Sequence, residues 1–252
     1  MTPMLSFKVL TANVHKGFSA FNRRFVLGEL RDAVRLVGAD IVFLQEVLGG
    51  HALHAKRIAN WPTLSQYEFL ADTIWPHVVY GRNAVYPEGD HGNALLSKFP
   101  VLRYANHDFS FRGDEKRGIL HVVLSASSLA TVEVHVICVH FGLSEGQRDA
   151  QLHMLCQLIA TAVPQEVPLI VAGDFNDWRL RVHALLETRA GMREVFAQAN
   201  GVTAKTFPAR FPLLRLDRIY VRNARAHAPI VLPRRPWSHL SDHAPLLAEI
   251  QI

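Results

Sequence analysis

Two polar segments of this chain carry side chains that can catalyse reactions. The segment 173–176 (Gly-Asp-Phe-Asn) ends an apolar run at 168–172, and 241–243 (Ser-Asp-His) precedes another apolar run at 245–252. Folds commonly hold catalytic groups at the ends of strands, because a sheet fixes the position of each side chain. Carboxylates, an amide and an imidazole in these places predict acid–base or metal chemistry.

Further polar residues end other apolar runs: Asn13, Glu46, His140 and Asp217. A buried carboxylate is costly unless it is paired or bound to a cation. A hard divalent cation would favour these oxygen ligands, which indicates Mg²⁺ or Mn²⁺ and not zinc. A histidine is the other suitable partner, because a carboxylate fixes its tautomer and raises its basicity. A single aspartate of this kind is usually a turn cap, so the recurrence at many strand ends is what favours a site.

Hydrophobic periodicity predicts the elements that position these groups. Strands are predicted at 7–13, 40–44 running into Gln45-Glu46, 67–71, 77–81, 93–98, 101–109, 119–125, 131–140, 168–173, 217–222, 228–232 and 245–251. Helices are predicted after an N-cap at Asn22 as far as Gly38, from the early 50s to Asn60, after a Ser144–Gln147 capping box, and at 178–189. Strands 119–125 and 131–140 form a predicted hairpin, with Ser127 and Ser128 near its turn. This mixture of crossovers and hairpins predicts mixed sheets with helices outside them.

Composition narrows the class of protein. The 252 residues are 49% apolar and 19% charged, which provides a large core and no sign of disorder. We predict one domain over 1–252, because no linker or repeat divides the chain. The pattern Gly-x-Gly-x-x-Gly is absent, so a nucleotide-cofactor enzyme is not expected. Cys138 and Cys156 lack metal-type spacing and are interpreted as small core residues.

Neither a signal peptide nor a membrane helix is predicted. The first residues have no basic segment followed by an apolar one. The long stretch 119–143 is poor in charge but alternates with period two, which is typical of a strand. We therefore expect a cytoplasmic protein.

Six motifs, in order, resemble those of the endonuclease/exonuclease/phosphatase superfamily, which has the deoxyribonuclease I-like fold. They are Thr11-x-Asn13, Gln45-Glu46, Val139-His140-Phe141, Gly173-Asp174-Phe175-Asn176, Leu216-Asp217-Arg218-Ile219 and Ser241-Asp242-His243. The segments 92–97 and Arg117-Gly118 add support. The match extends over 7–245, and while each motif alone is weak, the series is specific. The resemblance implies an α/β fold of the α+β type: a four-layer sandwich of two packed mixed β-sheets flanked by helices.

The resemblance also implies hydrolysis of a phosphoester with a divalent metal, Mg²⁺ or Mn²⁺, by in-line attack of an activated water. Glu46 would be the metal carboxylate with Asn13 beside it, and Asp242 would serve a second metal position or support the site. Asp174 would orient or deprotonate the water. His243, paired with Asp217, and His140 would contact the phosphate, as would Asn176 and Arg117.

The substrate is left open at this point. Val139-His140-Phe141 differs from the Tyr-x-Pro segment of the abasic-site repair branch, which makes that activity less favoured. A stretch of basic residues contains Lys205, Arg210, Arg215, Arg218, Arg222, Arg225, Arg234 and Arg235. Apolar residues are interleaved with these charges: Phe207, Phe211, Leu213, Leu214 and Trp237. Such a stretch could contact nucleic acid or an anionic membrane surface. The ordinary explanation is that the arginines lie on a solvated face and the aromatic residues lie in the core. A nucleic acid or a phospholipid-type phosphodiester is therefore the expected substrate, for a monomeric enzyme. The alternatives are a small-molecule or inositol-type phosphomonoesterase and, less favoured, a non-catalytic binding member.

Overall fold

Two six-stranded mixed sheets pack face to face and carry helices on their outer surfaces. The computed structural model describes residues 5–111, 116–126 and 132–252. The predicted turn at Ser127 and Ser128 lies outside these ranges. The predicted four-layer sandwich is confirmed.

The first sheet contains β1 (Ser6–Asn13), β2 (Ile41–His51), β3 (His77–Tyr86), β4 (Gly89–Ser97), β11 (Arg225–Val231) and β12 (Leu246–Gln251), in the order β11-β12-β1-β2-β4-β3. The second contains β5 (Val101–Asp108), β6 (Gly118–Ser125), β7 (Glu133–His140), β8 (Leu169–Asp174), β9 (Arg193–Glu194) and β10 (Asp217–Arg222), in the order β5-β6-β7-β8-β10-β9. The helices are α1 (Leu27–Val37), α2 (Ala52–Arg57), α3 (Gln66–Ala71), α4 (Glu145–Ala162), α5 (Arg181–Ala190), α6 (Val195–Asn200) and α7 (Arg234–Trp237).

Each sheet has a parallel pair of strands at its centre, β1 with β2 and β7 with β8. The four strands are almost fully buried because both of their faces are covered, which explains their continuous apolar runs. Phe43, Val136 and Ile170 belong to the core between the sheets. Separate apolar clusters lie under the helices on each outer face.

Helix ends follow local sequence signals. Ser144 and Gln147 form the predicted capping box of α4, with hydrogen bonds of 3.3 and 3.0 Å. Gly38 ends α1 in a left-handed conformation, as its position predicts. The predicted N-cap at Asn22 is wrong: Val26 precedes the first turn of α1, and Asn22 lies in a short 3₁₀ helix.

The predicted strand at 67–71 is also wrong, because these residues lie in α3. Ser65 and Glu68 form a capping box there, and the helix buries Leu70 and Ala71 against α1 and β2. Alternating apolar residues over such a short segment do not distinguish a strand from one turn of helix. The capping-box sequence would have decided the question.

Within the described parts of the chain, every helix is too short or too polar to traverse a lipid bilayer.

Glu194, at the end of β9, allows a prediction about stability. Its side chain is buried and accepts a hydrogen bond from the Ala197 amide at the start of α6, and burial raises its pKa to about 7. In the unfolded chain the carboxyl group ionises near pH 4.5, but in the folded protein it stays protonated up to about pH 7. The stability that the protonated group contributes is therefore complete below pH 4.5 and is lost as the pH rises from there to about 7. Relative to Glu194→Gln, the free energy of unfolding of the wild type should fall by up to about 3 kcal/mol between these values. Urea titrations at a series of pH values would measure it. Glu187→Gln, at an exposed position of α5, is the control, and parallel curves for wild type and Glu194→Gln would contradict the prediction.

Candidate active site

The two central parallel pairs bring their polar ends to one edge of the sandwich. Asn13 pairs with Gln45, the neighbour of Glu46, in the first sheet. His140 pairs with Asp174 in the second sheet, and Asp174 also pairs with Asp217 on β10. Parallel strands end at the same edge, so residues distant in sequence become neighbours.

One carboxylate oxygen lies at the centre of this group. Asp174 Oδ2 is 3.2 Å from Asn13 Nδ2, 3.6 Å from His140 Nε2 and 3.8 Å from His243 Nε2. Asn13 Nδ2 is also 3.3 Å from Glu46 Oε1, so one amide lies between two carboxylates. The side chains come from both sheets and from the loop before β12, and the structure therefore gathers most of the predicted site at one place.

His243 and Asp217 form a buried pair at the same place. His243 Nδ1 lies 2.8 Å from Asp217 Oδ2, which leaves Nε2 directed towards Asp174. Burial opposes the charged imidazole, but Asp217 and Asp174 outweigh it and raise the pKa of His243 to about 10. The loop is fixed by Ser241, whose hydroxyl donates to the Asn13 carbonyl at 2.7 Å and accepts from the His243 amide at 3.2 Å. His243 is therefore a protonated donor at neutral pH.

The other two titratable groups differ in protonation. Burial raises the pKa of Asp174 to about 6, His243 lowers it, and the carboxylates of Asp217 and Glu46 raise it further. Burial also lowers the pKa of His140 well below its usual range, with Arg117 and His243 adding to the effect. The site thus contains a neutral histidine, a protonated histidine and a carboxylate that titrates close to neutrality, which are the properties of acid–base groups.

Local sequence explains the backbone at this edge. Gly173 has a φ of +145°, and a Cβ there would lie 2.0 Å from the Val139 carbonyl oxygen, so only glycine fits before Asp174. Asn176 has a φ of +50°, which asparagine tolerates better than most residues. Glu46 has a φ of +56° at an irregularity of β2 between Leu44 and Val47. A glutamate in this conformation costs about 1–2 kcal/mol and is typical of residues held for a function.

The remaining predicted site residues lie around this centre. The amide of Asn176 donates to Asp174 Oδ1 at 2.9 Å, and its Nδ2 donates to the Phe141 carbonyl at 2.9 Å, which leaves one Nδ2 hydrogen for a substrate. Arg117 is buried and acts electrostatically on His140 and His91. Asp242 lies 3.9 Å from His15 Nδ1, so its contact is with the loop after β1. The catalytic and metal-binding roles assigned to these residues stay predictions.

Two arginines of the basic stretch are not on the surface. Arg218 is fully buried, lies 3.3 Å from Asp177 Oδ2 and donates to the Asp177 carbonyl. Arg222 is also buried and donates to the Pro164 carbonyl at 2.9 Å. Arg218 therefore fixes the loop that carries Asn176, and these two buried arginines belong neither to a solvated face nor to a surface for an anionic partner. The sequence signal was their place inside an apolar strand, where a charge needs a buried partner.

A buried polar contact joins the sheets beneath the site. Gln45 Nε2 lies 3.3 Å from Thr11 Oγ1 and 3.3 Å from Cys138 Sγ on the opposite sheet. Burial raises the pKa of the Cys138 thiol to about 12, so the thiol is unreactive. Cys138 is a core residue, as predicted, while Cys156 is partly exposed.

A cavity of about 420 Å³ adjoins the first sheet's side of the site. Its lining includes Lys16, Phe18, His51, His54, Tyr86 and His91. Burial lowers the pKa of His91 to about 4, Lys16 lowers it further, and Glu46 raises it, which shows that Glu46 lies within electrostatic range. The cavity therefore offers planar rings and one ammonium group beside the carboxylates.

The donor set fits a divalent cation. The carboxylates of Asp217 and Glu46 both repel a negative charge on Asp174, because each raises the pKa of Asp174. The closest set of potential ligand atoms, those of Asp174, Asp217 and His243, lies within 4.8 Å, but Asp217 and the protonated His243 already satisfy each other. Glu46 is consequently the better carboxylate ligand for a hard cation. Asn13 lies beside it, with Nδ2 towards Glu46 and Oδ1 accepting from the His15 amide at 3.0 Å.

Comparisons with other proteins show which proteins share this sequence and this fold. YbhP of Escherichia coli strain K12, an uncharacterized protein, is 57% identical over 251 residues, which are 100% of this chain and 98% of YbhP. The structure of D. rerio TDP2 complexed with a single-strand DNA product has a TM-score of 0.72 at 18% identity and covers 97% of this chain and 98% of its own. The mannosyl-6-phosphatase Bt3783 of Bacteroides thetaiotaomicron has a TM-score of 0.73 at 15% identity, covering 97% and 99%.

The model of the Endonuclease/Exonuclease/phosphatase family matches residues 10–243, a range that includes Asn13, Glu46, His140, Asp174, Asp217 and His243. This match extends over most of the chain. The chain belongs to the endonuclease/exonuclease/phosphatase family.

Proposed function

We propose that this protein is a divalent-metal-dependent phosphodiesterase that attacks phosphorus in line with an activated water. The observation that carries the proposal is the convergence of Asn13, His140 and His243 on one oxygen of Asp174. In-line displacement needs a group that accepts the water's proton and donors aimed at the phosphoryl oxygens. The raised pKa values of Asp174 and His243 and the lowered pKa of His140 support these roles.

The geometry supports a role for each of these residues. Asp174 accepts the proton of the attacking water, and the Asn176 amide hydrogen fixes its other oxygen. Protonated His243, oriented by Asp217, donates to a phosphoryl oxygen, and neutral His140 provides a second contact. Glu46 and Asn13 would hold Mg²⁺ or Mn²⁺, which when bound neutralises phosphate charge as a Lewis acid.

A metal test checks the proposal directly. Wild-type protein should hydrolyse bis-p-nitrophenyl phosphate with Mg²⁺ or Mn²⁺, and a chelator should abolish turnover. Glu46→Ala should raise the Mg²⁺ concentration needed for half-maximal rate by at least about tenfold, because one carboxylate ligand is lost. Glu88→Ala, which removes a glutamate of the β3–β4 turn, is the control. Full turnover in the presence of chelator, or an unchanged metal requirement in Glu46→Ala, would contradict the assignment.

A phosphomonoesterase is the second candidate, supported by the fold similarity to a mannosyl-6-phosphatase. Parallel assays with p-nitrophenyl phosphate and its diester separate the two activities. A screen of plasmid DNA, RNA, phospholipids and inositol phosphates, with Glu46→Ala as the blank, then identifies the natural class. A nuclease is supported by the similarity to TDP2, whose structure contains a single-strand DNA product.

A further inference from the structure

Large apolar side chains project from the loops that surround the candidate active site. The loop after Asn13 exposes Phe21, the loop after His140 exposes Leu143, and the loop after Asp174 exposes Trp178. The loop before Asp217 exposes Phe211 and Leu213, and each of these two side chains is more than 60% accessible. We call these five residues the apolar rim. Isolated exposed apolar residues are ordinary, but their recurrence on four loops around one site marks an interaction surface.

Arginines accompany three of the rim residues. The guanidinium of exposed Arg23 lies 5.4 Å from the ring of Phe21, and that of Arg148, which is itself buried, lies 4.7 Å from the ring of Trp178. Arg234 lies 4.9 Å from the ring of Phe211. The rim is therefore apolar and, at the exposed Arg23 and Arg234, also cationic.

The loop at 205–215 shows this character most clearly. It contains three basic residues and no acidic one. Arg210 lies 5.9 Å from the ring of Phe211, and α7 adds exposed Arg234 and Arg235 beside it. Trp237, by contrast, is buried, so only part of the apolar set identified in the sequence belongs to the core.

The same loop is joined to the catalytic residues. The Ala209 amide donates to the Asp242 carbonyl at 2.7 Å, and the Ala244 amide donates to the Thr206 carbonyl at 2.8 Å. The ring of Phe207 lies 4.9 Å from that of His243. A surface that binds Phe211 and Leu213 is consequently brought close to His243.

We propose that the apolar rim docks on an anionic phospholipid bilayer, so that a lipid headgroup phosphoester is presented to Asp174 and His243. This rests on the proposed hydrolase function and names its substrate class. Apolar side chains that enter the acyl boundary, with arginines at the level of anionic headgroups, give the charge and hydrophobic complementarity that interfacial binding requires. Single-stranded nucleic acid is less well matched, because Leu143 and Leu213 offer no π-face on which a base can stack.

Vesicle binding tests the proposal. Wild-type protein should co-sediment with vesicles of equal parts phosphatidylcholine and phosphatidylglycerol, and more weakly with phosphatidylcholine alone. The double variant Phe211→Ser/Leu213→Ser should lower the partition coefficient by at least about tenfold, because two apolar side chains that would enter the bilayer are lost. Arg210→Glu/Arg234→Glu should lower binding to the anionic vesicles specifically.

Leu36→Ser is the matched control. Leu36 is 88% exposed, and it lies in the last turn of α1, just before β2 begins at the edge opposite Glu46. This variant should bind vesicles as the wild type does. All variants should keep their turnover of bis-p-nitrophenyl phosphate, since none removes a site residue.

The outcomes separate docking from catalysis. Failure of the wild type to bind anionic vesicles, or full binding by the Phe211/Leu213 variant, would overturn the docking proposal. A third outcome is that the wild type binds a single-stranded oligonucleotide but not vesicles, and that the Phe211/Leu213 variant loses the oligonucleotide. That outcome would identify the rim as a nucleic-acid surface and would also overturn the docking proposal. Rim-dependent vesicle binding without diester turnover under any metal would support docking while it defeats the proposed hydrolysis.

Discussion

Replacing Asp174 by asparagine is expected to lower phosphodiester turnover by about 10²–10⁴-fold, the usual cost of removing a general base. Asparagine keeps the size of the side chain and can still accept from the Asn176 amide, but it cannot take a proton from water. Because burial raises the pKa of Asp174 to about 6, the wild-type rate should increase as pH rises through that value. The variant should lack this rise in rate. Initial rates over a pH series, at saturating Mg²⁺, measure both effects.

The same variant should be at least as stable as the wild type at neutral pH. The raised pKa means that ionised Asp174 is disfavoured in the folded state, so its contribution to stability is lost as pH rises through about 6. Asparagine removes that ionisation. Urea unfolding at pH 8 therefore distinguishes lost chemistry from lost folding, and Asp32→Asn, on the exposed side of α1, is the matched control. Wild-type turnover by Asp174→Asn would show that another group activates the water.

The sequence allowed the site to be predicted because strand ends are visible as changes from apolar to polar residues. Asn13, His140 and Asp174 each end a buried run, and parallel pairing then places such ends at one edge. Asp217 and His243 stood out by the same change from apolar to polar residues, and the motif order implied that they form a pair. The fold class followed from the same alternation of strands, crossovers and hairpins.

Side-chain partners across long separations could not be predicted in this way. Arg218 belongs to the basic stretch that could contact an anionic partner, whereas in the structure it binds Asp177, 41 residues earlier in the chain. The positive φ of Glu46 also has no local signal, since glutamate is not a residue that favours this conformation. Both features depend on tertiary packing, which outweighs local preference.

The local conformation at the starts of helices also limited what could be predicted from the sequence. At α3, the alternation of Tyr67, Phe69 and Ala71 suggested a strand, while Ser65 and Glu68 supplied the stronger helix signal. At α1, Asn22 had the right residue type for an N-cap, but the chain makes a short 3₁₀ turn before the helix starts. The residue type of Asn22 therefore predicted that a helix follows, but it placed the beginning of α1 too early in the chain.

The Asp217–His243 pair should behave as one catalytic unit. Asp217→Asn and His243→Gln should each reduce turnover by about 10²–10³-fold, and the double variant should be little worse than either, because the carboxylate acts through the imidazole. A double-mutant cycle on bis-p-nitrophenyl phosphate turnover measures the coupling. Additive losses would mean that the two residues act independently.

The pH profile tests why the pair exists. Burial opposes protonation of His243, but Asp217 and then Asp174 raise its pKa to about 10, so the wild type keeps the protonated donor throughout the neutral range. Asp217→Asn removes the larger of these two attractions and the 2.8 Å hydrogen bond, which must lower that pKa. The variant's rate should consequently fall with rising pH in a range where the wild-type rate is constant. An unchanged alkaline limb would mean that turnover does not need the His243 proton, and that the pair serves to position the loop at 241–243 instead.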